Sequence, residues 1–66
     1  MSIPSIKIRF LADLAFTFYC RIYEEKENEN KIIATRDELI FLLKWFKCNI
    51  EEIEYCLNLF DSMVNF

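Results

Sequence analysis

A chain of 66 residues makes one domain at most and buries only ~60% of its unfolded surface, so disulfides, a metal or a partner must supplement its core. Three cysteines without a Cys-x-x-Cys pair, and no histidine, argue against a disulfide framework and against a zinc site with closely spaced ligands. Eleven acidic against eight basic residues give a net charge of −3, a poor match to phosphate, and the absence of glycine excludes a glycine-rich phosphate cradle.

With no glycine and a single proline, Pro4, the chain is expected to be mainly α, a three-helix domain spanning residues 1–66 with room for one short strand pair. Residues 1–10 fit two readings. Ile6, Ile8 and Phe10 alternate with Lys7 and Arg9, as in a half-buried strand, whereas Ser5 after Pro4 suits the cap of a helix that runs straight on. The helix is favoured.

Residues 11–25 read as a helix with a broad apolar face. Leu11, Leu14, Ala15, Phe18 and Ile22 recur every three or four positions, and Phe16, Tyr19, Cys20 and Tyr23 widen the stripe. Residues 24–31 carry no apolar side chain and read as a solvated connector, with Asn28 and Asn30 as turn or left-handed residues. Lys31 to Ala34 reads as a short extended segment leading into a cap at Thr35.

Thr35-Arg36-Asp37-Glu38 and Asn49-Ile50-Glu51-Glu52 both have the capping-box form, an acceptor side chain followed three residues later by Glu. They predict a helix over about 36–46, a turn of about two residues, and a helix over about 50–64, together a C-terminal helix-turn-helix. Leu39, Leu42, Leu43 and Phe46 form the core stripe of the first. Ile50, Ile53, Leu57, Phe60 and Val64 form the inner face of the second, leaving Glu51, Glu52, Glu54, Asn58 and Asp61 outward. Phe41 and Trp45, four apart, lie on a second side, either packed on the first helix or facing a partner.

Catalysis is not expected. The commonest general base is missing, the carboxylates fall on solvated faces, and Cys20 and Cys56 read as small core hydrophobes without an activating base. No cofactor and no metal are expected. The apolar stretch from Phe10 to Cys20 is interrupted by Asp13 and is too short to span a bilayer; with no leader pattern, a cytoplasmic, membrane-free protein is the expectation.

What the composition favours is association. The hydrophobic fraction is 55%, against a usual ~45–50%, and eleven aromatic rings exceed what one small core holds. The expected partner-binding residues are Phe41, Trp45 and Tyr55, lining a groove rimmed by Glu51, Glu52 and Glu54. A protein partner and a homo-oligomer, a dimer, are expected, and nucleic acid is not. No lysine or arginine occurs from Asn49 to Phe66, so the last helix would meet phosphates with carboxylates; Arg36, Lys44 and Lys47 are the candidates for phosphate contact. The reading is a small protein-binding regulator. Its size and Lys/Asn/Ile/Glu-rich composition are compatible with a phage-encoded inhibitor of a host enzyme or a DNA mimic.

The order of a first helix, "Lys-Ile-Ile-Ala", "Thr-Arg-Asp-Glu-Leu-Ile-Phe-Leu-Leu" and "Asn-Ile-Glu-Glu-Ile-Glu-Tyr-Cys-Leu-Asn-Leu-Phe" resembles the winged-helix N-terminal domain of phage replisome organisers and DnaD-like replication proteins over about residues 11–64. The resemblance implies a DNA-binding replication accessory domain that also forms oligomers. The family continues into a glycine-containing wing that this glycine-free sequence lacks, so the oligomer-forming role fits it better.

Overall fold

The computed structural model describes residues 3–64. They form α1 (Ser5–Cys20), a 3-10 turn (Tyr23–Glu25), α2 (Glu29–Trp45) and α3 (Ile50–Val64), with no strand among the described residues. The domain is all-α.

α1 starts on Pro4, whose ring fixes φ at −57° and whose carbonyl accepts the Ile8 N–H at 3.0 Å. The two-residue alternation after it yields to the helical period of Leu11, Ala15 and Phe18, which are buried. The helix ends at Cys20, five residues before the expected end. Arg21 and Ile22 turn their N–H groups back to Phe18 and Tyr19 in tight 3-10 fashion, and this drops Ile22 fully into the core.

α2 corrects the expected boundaries. It begins at Glu29, so residues 31–34 are helical rather than extended and Thr35 is interior rather than a cap. The cap is Asn28, extended at φ −88°, whose side chain accepts from the Lys31 N–H at 3.2 Å. The physical reason is burial. Continuing the helix backwards lays Ile32 and Thr35 on the same stripe as Leu39 and Leu43, against the core. Glu38, the other half of the expected capping box, instead reaches Arg21 at 2.7 Å. Neither Asn28 nor Asn30 is left-handed; the only positive φ among the described non-glycine residues is that of Lys47, at 63°.

The link between α2 and α3 is four residues, Phe46 to Asn49. Lys47 donates to Lys44 at 2.9 Å and Cys48 donates to Leu43 at 3.0 Å, the paired bonds of a Schellman turn with Lys47 at the left-handed position that glycine usually fills. The capping box at the start of α3 forms as expected. The Asn49 side chain accepts from the Glu52 N–H, and Glu52 accepts from the Asn49 N–H, both at 2.9 Å.

The three helices run alternately up and down around Leu11, Ala15, Phe18, Ile22, Leu39, Leu43, Cys56, Phe60 and Val64. α3 packs far more extensively on α1 than α2 does on either. Cys56 ties the first pair directly, its Sγ 3.3 Å from the Leu11 carbonyl oxygen.

Candidate interaction surface

The outward side of α2 is built from the same helix that supplies the core. Leu39 and Leu43 point in, while Ile33, Phe41 and Trp45, spaced by eight and four, stand on the opposite side at 56%, 71% and 66% exposure. A helix apolar on two sides is ordinarily covered on both. Here α1 and α3 cover one, and Phe41 and Trp45 do not pack into the core.

The patch continues onto α1. The Trp45 ring meets Phe46 edge-on at 5.2 Å, and Phe46 meets Phe10 of α1 edge-on at 5.3 Å, so three rings bridge the seam between α2 and α1. Such edge-to-face pairs add ~0.5–1.5 kcal/mol beyond area burial, which holds the rings in place while leaving them accessible. Ile6, one turn before Phe10, extends the flank, and Ile50 opens α3 just past the turn, both mostly exposed.

Tyr55 stands apart from Phe41 and Trp45. It is half-buried against the core, roughly 120° around α3 from Asp61, the residue that meets α2. The structure therefore does not gather the three into one groove. Glu51 and Glu54 are exposed on α3, as expected, but Glu52 is not outward. It is only 7% exposed, held between the Asn49 N–H and the Lys7 ammonium, whose Nζ lies 3.0 Å away. The Asn49 bond, and then Lys7, hold the Glu52 carboxyl below its ordinary pKa. The helical period alone cannot tell an outer carboxylate from one that doubles as a cap and pairs with another helix. The exposed Ile50 also departs from the expected inner face, because Cys56 and Glu52 take the α1 side of α3.

Of the candidate phosphate contacts, Arg36 is occupied. Its Nε and Nη2 donate to the two Asp61 oxygens, both at 2.9 Å, in a bidentate clamp between α2 and α3 that also corrects the outward placement of Asp61. Lys44 and Lys47 are exposed near the aromatic patch and form no ion pair with another described residue.

The three thiols are free and differ in setting. Cys56 is buried, as expected, and burial pushes its thiol pKa up to about 11, with a smaller contribution from Cys48. Cys48 is half-buried, and its pKa is raised first by desolvation and then by Glu52. Cys20 is exposed rather than core, a correction that follows from its place on α1, about 180° around the helix from the buried Leu11. Among the described residues no group of histidine, cysteine and carboxylate side chains is placed to hold a metal ion, and no helix is long and apolar enough to cross a membrane. An open depression of about 530 Å³ lies at the far end of the bundle, between Lys26, Glu29, Ile32, Ile33, Asp61 and Val64.

Fold and surface together define a small three-helix domain with an uncovered aromatic face. No protein-family model, no curated protein and no solved structure matches the chain.

Proposed function

We propose that this protein is a non-enzymatic, protein-binding regulator, acting in a reducing, cytoplasmic setting through the aromatic face of α2 and self-associating through it. The observation that carries the reading is the exposure of Phe41 and Trp45 on the side of α2 opposite the core, with Trp45 joined through Phe46 to Phe10. Large rings fixed on a rigid helix bury much area at little entropic cost, which is why they dominate interface energetics. Free thiols fit the compartment. A role as an inhibitor of another protein's surface, of the kind small phage-encoded proteins perform, belongs to the same reading. Binding of DNA by a winged-helix-like domain draws less support. α3 has no cation along its length, and Arg36 is engaged with Asp61.

The test is the pair Phe41→Ala and Trp45→Ala. Each should weaken self-association and any partner complex while circular dichroism shows the helices intact. Loss of helicity would show that these rings belong to the core. Tight duplex-DNA retention that collapses with added salt would overturn the reading in favour of the replication-type domain.

A further inference from the structure

The outward side of α2 carries its own charge pattern. Asp37 lies one turn before Phe41 and Lys44 just under one turn after it; both are exposed, and neither forms an ion pair with another described residue. The stripe therefore reads negative, aromatic, positive. Turned end for end, it reads positive, aromatic, negative, the complement of itself. A twofold interface demands such a pattern, because the same patch must serve both sides.

The apolar area alone comes close to that of a standard interface. Ile6, Phe10, Ile33, Phe41, Trp45 and Phe46, at their observed exposures, present on the order of 700 Å² per copy. A standard interface takes about 800 Å² from each partner. An uncovered apolar patch on a monomer is usually about 300–600 Å².

We propose that a second copy of this chain covers the outward face of α2, the two α2 helices packing antiparallel about a twofold axis near Phe41, so that Lys44 of each copy meets Asp37 of the other. This rests on the reading of the aromatic face as a protein-docking surface and names its occupant. In the dimer α2 lies between α1 and α3 on one side and the second copy on the other. Both faces of α2 are then covered, and the apolar pattern on its two sides is accounted for.

Charge reversal tests the arrangement, with sedimentation equilibrium of the full chain as the readout and circular dichroism confirming that each variant is folded. The wild type should sediment as a monomer–dimer equilibrium in the micromolar range. Lys44→Asp places two carboxylates together at each end of the interface, and Asp37→Lys places two ammonium groups together. Each should weaken the dimer about tenfold. The double reversal restores opposite signs and should bring the dimer back to within about threefold of wild type. A monomer at every concentration up to hundreds of micromolar would overturn the proposal, as would a double variant no stronger than the singles. If Trp45→Ala dissolves an assembly that ignores all three reversals, the docking surface stands and the twofold pairing falls. Retention of a monomeric wild type on vesicles of anionic phospholipid, lost in Trp45→Ala, would assign the face to a lipid surface and overturn both.

Discussion

Asn49 and Glu52 exchange hydrogen bonds of 2.9 Å across the first turn of α3, and Lys7 from α1 grips the same carboxylate at 3.0 Å. One acidic side chain thus caps its own helix and fastens a second one. Asn49→Ala should cost about 1 kcal/mol in chemical denaturation. The pH dependence has a defined sign. The Glu52 pKa is lower folded than unfolded, so its contribution to stability is present above the ordinary carboxylate value of about 4.3 and is lost as pH falls through the folded value. Wild type should lose stability on acidification below that value, and Glu52→Gln should lose less over the same interval. Equal slopes in denaturant titrations at a series of acid pH values would contradict this.

Lys47 holds φ at 63° where glycine has no steric cost. Lys47→Gly should therefore raise stability by up to about 1 kcal/mol, against the usual trend for substitutions. Thermal unfolding measures it; a lower midpoint would show that the Lys47 side chain contributes more to the fold than the turn geometry costs.

Asn28 and Thr35 exchange the roles expected of them. Asn28→Ala should destabilise by about 1 kcal/mol, because a real cap is removed. Thr35→Ser, which keeps a hydroxyl capable of capping but loses a buried methyl, should also destabilise, since Thr35 is packed inside the helix. If Thr35→Ser were neutral and Asn28→Ala harmless, the start of α2 would be misplaced.

The three thiols should react in order of access. A maleimide reagent at neutral pH should modify Cys20 first and Cys48 more slowly, and should reach Cys56 only on unfolding, because Cys56 is buried with a thiol pKa of about 11. Mass spectrometry of partly labelled protein reads the order directly.

Much of this architecture is legible in the residues. The absence of glycine, the period of Leu11, Ala15 and Phe18, and the Asn49–Glu52 box point to the helices that form. The failures share a cause. Thr35 with Glu38 has the same form as Asn49 with Glu52, but a cap signal is worth about 1 kcal/mol, and burying Ile32 and Thr35 along one stripe outweighs it. Glu52 looked outward because periodicity ranks residues by polarity, whereas its burial follows from Lys7, forty-five positions away. In the candidate surface, Phe41 and Trp45 were legible as a second apolar side of α2. Their link to Phe10 was not, because it depends on how α1 and α2 meet.

The uneven packing of the three helices has a kinetic consequence. α3 is fastened to α1 by extensive contact, by Lys7–Glu52 and by Cys56, whereas α2 is the element with least contact to its neighbours. Amide protons in α2 should therefore exchange with solvent deuterium sooner than those at the centres of α1 and α3, through local opening rather than global unfolding. The segment the bundle grips most loosely is also the one that shows its rings outward, so whatever docks there should slow its breathing, and raising the protein concentration should protect α2 before it protects anything else.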